Sequence, residues 1–173
     1  MENLFASPLL RRPRLQALSV MAAAVLMLLA SASHAEMGPF TGLDGKWSGS
    51  GTVSLGNGTK ERIICRATYA VSAEGNKLQQ SLRCASDSYR FELTSDVTHQ
   101  GGQLSGVWSE ASRNISGTLF GSAKAGRFDV VVTSPTFSTN LSLTTQGDRQ
   151  SVVATAPPGG QLVGASIMLA RGK

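Results

Sequence analysis

Between Lys46 and Ala170 apolar and polar residues alternate with a period of two in one short run after another, and that rhythm restricts the chain to an all-β architecture. The runs fall near 46–55, 60–72, 77–85, 88–97, 103–109, 114–122, 126–134, 136–145, 150–156 and 161–170. Between them lie turn formers: Gly56-Asn57-Gly58, Glu74-Gly75-Asn76, Gln100-Gly101-Gly102, Lys124-Ala125-Gly126, Gln146-Gly147-Asp148 and Pro157-Pro158-Gly159-Gly160. Links this short join neighbours antiparallel. No amphipathic helical stretch of useful length competes with the strands.

Alternation also assigns faces. Ile63, Cys65, Ala67, Tyr69 and Val71 share one side of the second strand, and Arg62, Arg66 and Thr68 the other. Leu82 and Cys84 oppose Arg83, and Tyr89, Phe91 and Leu93 alternate with Arg90, Glu92 and Thr94. A meander with one apolar face has to cover it, and closing into a barrel does so while removing the edges. The expected fold is therefore an antiparallel up-and-down β-barrel of eight to ten strands. Parity alone does not say which face is outside. Few aromatics, no girdles and many short strands speak against an outer-membrane barrel.

The first thirty-five residues read as an address. Arg11, Arg12 and Arg14 precede an apolar run from Leu15 to Ala30, closed by Ser33-His34-Ala35. Charge, apolar stretch and small-x-small end make a secretory signal peptide cut after Ala35. A membrane anchor would need roughly 20 apolar residues, more than this run supplies. The expected organisation is thus a leader over 1–35 and one barrel domain over 36–173, with no membrane span after cleavage. The leader holds three arginines and one glutamate, so the net charge of +5 falls by two. So small a surplus favours solubility over nucleic-acid binding.

Export to a periplasmic or secreted location exposes the chain to oxidising conditions, where Cys65 and Cys84 are expected to form one disulfide. The loop it closes is worth on the order of 3 kcal/mol. Setting these residues opposite each other pairs Val71 with Leu78, Tyr69 with Gln80 and Ala67 with Leu82, around a four-residue loop from Ala73 to Asn76. That register makes the cysteines a non-hydrogen-bonded pair, whose short Cα separation suits a bridge. Gly49, Gly51, Gly106, Gly117, Gly121 and Gly164 stand inside strands, where they permit sharp coiling and close backbone approach.

Gly45-Lys46-Trp47, preceded by Leu43-Asp44, opens the first strand. It resembles the Gly-x-Trp start of the calycins: lipocalins, fatty-acid-binding proteins and avidins. The resemblance implies that the tryptophan plugs one barrel end under a basic residue from the last strand. Arg171 stands in the matching place, and a guanidinium over an indole is favourable. Lipid-binding lids and the lipocalin terminal helix are missing. From Leu43 onward the chain also resembles a group of small exported proteins of alphaproteobacteria, which implies location and fold but no chemistry.

Catalysis finds little support in the residues. There is no Gly-x-Ser-x-Gly elbow beyond the leader, and the one histidine there, His99, sits in a turn-like stretch without a placed partner. Cysteines in a disulfide serve neither as nucleophile nor as metal ligand. Acidic residues are scattered singly, with no carboxylate pair, calcium loop or phosphate-cradling glycines. No enzyme activity, cofactor or metal is expected, and loss of a defined activity in a His99→Ala variant would reverse that reading.

Two binding surfaces remain. If Ser86-Asp87 centres the hairpin after the third strand, Arg66, Arg83 and Arg90 form an outer row suited to an anionic group. Inside, small residues at Gly49, Gly51, Ala67, Gly106 and Gly117 leave room for a cavity, with Tyr69, Gln80 and Tyr89 to orient an apolar ligand. The same glycines equally let a barrel coil until side chains fill it. The leading expectation is a non-enzymatic binding protein for a small apolar or amphipathic molecule, with Trp47, Tyr69, Gln80, Tyr89 and Trp108 at the ligand. The alternative is a structural or interaction module of the cell envelope, an inhibitor or integrity factor, meeting a protein, lipid or glycan through the arginine row.

Overall fold

The computed structural model describes residues 37–173; the expected leader, with its cut after Ala35, lies outside the described residues. Ten strands follow in chain order. They are β1 (Gly45–Leu55), β2 (Lys60–Val71), β3 (Lys77–Ala85), β4 (Arg90–Gln100), β5 (Gln103–Glu110), β6 (Ile115–Lys124), β7 (Arg127–Thr133), β8 (Ser138–Gln146), β9 (Arg149–Thr155) and β10 (Leu162–Arg171). Every strand pairs antiparallel with its chain neighbours, and β1 pairs with β10 to close the barrel. Each of the ten alternating runs has become one strand, and the count settles at the upper end of the expected range.

Parity holds around the ring. Ile63, Cys65, Ala67 and Tyr69 are buried, while Arg62, Arg66 and Thr68 point out. The apolar face is therefore the inner one, opposite to the arrangement of a lipid-facing barrel. Tight links keep the register. At Ala125-Gly126, φ values of 49° and 78° give the doubly left-handed turn that matches strand twist.

Closure bends the sheet sharply at a few places, and glycines stand there. A Cβ on Gly49 would overlap the Met168 carbonyl oxygen, and one on Gly51 that of Ser166, both on β10. Gly106, Gly117 and Gly121 meet neighbouring-strand carbonyls in the same way. These glycines thus serve close backbone approach at the corners. Gly164 has more room, its Cβ position lying 3.4 Å from the Ala154 oxygen.

The β2–β3 register is the expected one: Cys65 faces Cys84, Tyr69 faces Gln80 and Val71 faces Leu78. Ser72 N–H donates to the Lys77 carbonyl at 3.0 Å across the four-residue loop. The disulfide is formed, with Cα atoms 4.1 Å apart, inside the barrel wall. The next hairpin departs from expectation. Arg83 faces Glu92 and Ala85 faces Arg90, so the pairing is displaced by two residues. The physical reason is the Glu61 carboxylate, which accepts from the Ser86 hydroxyl at 2.6 Å, the Ser88 N–H at 3.0 Å and the Ser88 hydroxyl. These bonds hold a four-residue loop over 86–89 where a two-residue turn was expected.

Candidate ligand-binding site

One end of the barrel is sealed. The segment ahead of β1 folds under it, Gly38 and Phe40 donating backbone N–H groups to Glu74 and Gly75 in the β2–β3 loop. Phe40 enters the core and stacks on Phe128 with centroids 5.7 Å apart. Trp47 is 1% exposed, and its indole N–H donates to the Leu43 carbonyl at 2.8 Å. The Arg171 guanidinium lies over that ring at 4.8 Å and donates to the Asp44 carbonyl at 2.7 Å. Asp148 lies 3.0 Å from Arg171 Nε. Tryptophan and arginine thus meet as the resemblance implied, and Trp47 belongs to the floor of the barrel.

Above the floor runs a belt of polar side chains satisfied among themselves. Tyr69 on β2 donates its hydroxyl to Gln150 on β9 at 2.7 Å, and Gln150 donates to Thr145 at 3.0 Å. Burial pushes the Tyr69 phenol up to about 12, against the opposing pull of its hydrogen bonds to Gln150 and Gln80. Ser95 donates to Gln80 at 3.1 Å. Trp108, also buried, directs its indole N–H at the carbonyls of Thr118 and Thr133, 3.2 and 3.1 Å away. Phe137 covers it at 5.8 Å. Tyr69 and Trp108 therefore spend their polar atoms on the protein itself. His99 has moved from the expected turn into β4, where its Nδ1 lies 3.0 Å from Asn76 Oδ1.

Toward the opposite end the interior is less completely buried. Leu82, Phe91, Leu93, Val130, Val132, Leu143, Val152, Leu162 and Ala165 pack against the core yet stay partly exposed. Most belong to β7–β10, which makes that side of the interior the less completely buried one. Across the barrel, Val53, Leu55, Ile63 and the disulfide are buried.

The mouth is organised by two residues that sequence reasoning did not single out. Glu110 ends β5 on the inner face, 1% exposed. Burial raises its carboxyl, but hydrogen bonds from the Glu92 backbone, from Ser112 and from the Arg113 backbone outweigh this and leave it below the ordinary carboxylate range. Arg113, in the β5–β6 turn, stacks over the Tyr89 ring at 4.5 Å. It donates from Nη1 to the Arg90 carbonyl at 2.9 Å and from Nε to Gln161 Oε1 at 3.3 Å. Tyr89 thus sits at the rim, its phenol pushed up by burial against the opposing influence of Arg113. Inward parity made Glu110 legible, on the same face as Leu104 and Trp108. Arg113 carried no such signal, because a turn arginine reads as solvated.

The outer row of arginines does not assemble. Arg66 faces Arg83 as expected, but Arg83 meets Glu92 at 4.0 Å, and Arg90 stands two residues along, opposite Ala85. Among the described residues no group of three or more His, Cys, Asp or Glu is placed to hold a metal ion.

The fold and plug together define a calycin-like barrel. It is similar to the crystal structure of Rv2717c from M. tuberculosis, with a TM-score of 0.61 at 15% identity over 77% of this chain and 94% of that one. It is also similar to the S-type phycobiliprotein lyase CPES from Guillardia theta, with a TM-score of 0.56 at 10% identity over 78% and 90%. At these identities the likeness is one of fold. No protein-family model matches the sequence, and no curated protein does.

Proposed function

We propose that this chain is a non-enzymatic binding protein of the periplasm or the secreted fraction, taking a small apolar or amphipathic molecule through the open end of the barrel. The observation that carries the reading is the contrast inside the barrel: Phe40, Leu43 and Trp47 at the floor are fully buried, while the inward-facing Val130, Val132, Leu143 and Val152 stay partly exposed. Accessible apolar surface inside a concave site is what a ligand covers. Tyr89 and Gln80 are the ligand contacts retained from the sequence, while Trp47, Tyr69 and Trp108 shape the base and wall. The disulfide is compatible with an oxidising compartment.

The test is native mass spectrometry of the exported protein purified without detergent, followed by denaturation. The expected result is an adduct lost on denaturing, on a chain beginning at Glu36 and two daltons lighter than its reduced form. A clean apo mass that also fails to take up added amphiphile overturns the reading. It would turn attention to the outer face and an envelope protein, lipid or glycan.

A further inference from the structure

We propose that the outer wall formed by β10, β1, β2 and β3 is a docking surface for an anionic lipid bilayer. Ile64 and Met168 enter the head-group region, and Arg62, Arg66 and Arg83 meet lipid phosphates. This surface lies on the outside of the barrel and is independent of whatever the interior holds.

Charge is unevenly spread over the barrel wall. Lys60, Arg62 and Arg66 on β2 and Lys77 and Arg83 on β3 all point outward. The single acid of these two strands, Glu61, is engaged by Ser86 and Ser88 in the next loop. Arg66 stands directly opposite Arg83, where like charges repel across the ladder. The acids beside this face are Glu92, 4.0 Å from Arg83 Nε, and Asp87 in the loop beyond β3. Both side chains of the Arg83–Glu92 pair are exposed, so solvent screens it. By contrast, Ser105, Val107 and Ser109 leave the outer face of β5 uncharged.

Within this basic face lie two exposed apolar side chains, Ile64 at 57% and Met168 at 54%. Ser50 on β1 pairs with both, so only a small residue separates them across the wall. Arg62 and Arg66 flank Ile64 on the same side of β2, and Arg83 lies diagonally across from it, two residues from its partner Ala85. A soluble polyanion would engage the guanidinium groups and leave Ile64 and Met168 in water. An anionic bilayer takes up both kinds of side chain. Its phosphates accept from the arginine forks, and the boundary just beneath them receives the apolar groups. Long arginine stems let the charged heads stay at the phosphates while Ile64 goes deeper. Placing Arg66 and Arg83 on separate phosphates also relieves their repulsion.

The test is co-sedimentation of the exported protein with vesicles of phosphatidylcholine alone and of equal parts phosphatidylcholine and phosphatidylglycerol. Binding is expected to the mixed vesicles only, and to be lost at about 1 M salt, where the screening length shrinks to about 3 Å. Arg66→Gln together with Arg83→Gln should weaken it about thirtyfold, the product of two basic residues lost from a charged surface. Relieving the Arg66–Arg83 repulsion should hold or raise Tm, which separates lost docking from lost folding. Ile64→Ser should weaken binding about fivefold. Lys124→Gln together with Arg149→Gln removes as much charge from exposed ends of β6 and β9 and should leave binding unchanged. Equal binding to both kinds of vesicle, binding to neither, or an equal loss in the Lys124 and Arg149 control overturns the docking surface. Binding to dextran sulfate as tight as to the mixed vesicles, and unaltered by Ile64→Ser, also overturns it and identifies a soluble polyanion as the partner.

Discussion

The two ends of this barrel are held together by different means. At the floor, Trp47, Phe40 and Leu43 are buried, and their polar neighbours bond mostly to backbone: Trp47 to Leu43, Arg171 to Asp44, Gly38 to Glu74. At the mouth, side chains join loops beside the Gly56–Gln161 and Ala111–Glu92 backbone bonds. Glu61 holds Ser86 and Ser88, Glu110 holds its turn, and Arg113 reaches Gln161. Backbone bonds and large buried rings give an end that opens only with the whole fold. Side-chain bonds between exposed loops can exchange one partner for another, as entry of a ligand requires. The difference teaches where exchangeable contacts lie: at the mouth, above a floor packed around buried rings.

The comparison breaks most readily at the floor. Trp47→Ala removes the largest fully buried ring and leaves Arg171 without a surface to cover. It is expected to cost about 3–5 kcal/mol, measured by chemical denaturation. A loss below 1 kcal/mol would show that the floor is not the stable end. Next comes the wall. Replacing Cys65 and Cys84 together by Ala should lower stability by about 3 kcal/mol, and adding reductant to the unaltered protein should shift Tm the same way.

At the mouth the effect is smaller and depends on pH. The Glu110 carboxyl titrates below its ordinary value of 4.5 in the folded chain. Its contribution is therefore complete above that value and is lost as the pH falls through the folded one. Glu110→Gln should cost about 1–2 kcal/mol at neutral pH and flatten the acid limb of a plot of Tm against pH. An acid limb unchanged in shape would remove Glu110 from the account of the mouth. The smallest effect belongs to the polar belt. With the Tyr69 phenol pushed up to about 12, folding favours its neutral form, so stability falls as the pH rises above 10. Tyr69→Phe should reduce that alkaline loss at a cost of about 1 kcal/mol for the hydrogen bond. Absorbance titration of the folded protein should show Tyr69 ionising only well above the usual phenol range.

Some of this was legible from the residues and some was not, for reasons that can be traced. The β2–β3 register followed from one cysteine pair and one loop, all within the twenty residues from Cys65 to Cys84. The β3–β4 register could not follow in that way, because its loop is held by Glu61, which lies 25 and 27 positions before Ser86 and Ser88. Two residues of displacement keep every side chain on its face, so alternation gave no warning, yet they separate Arg90 from Arg83. The interior glycines likewise read two ways until closure placed Gly49 and Gly51 against carbonyls of β10.

The amino-acid sequence by itself determined the ten alternating runs, which residues share a face and the disulfide, and through the calycin resemblance it implied the meeting of Trp47 with Arg171. Alternation and turn chemistry act over a few residues, and the cysteine pair and the terminal arginine add constraints that need only strand order. Tertiary structure alone decided which loops face one another across the mouth. It set Arg113 between Tyr89 and Gln161, gave Tyr69 a partner on β9, and left the inner side chains of one side only partly buried. Those contacts exist only once β1 has joined β10, because closing the sheet brings together residues that no local pattern connects.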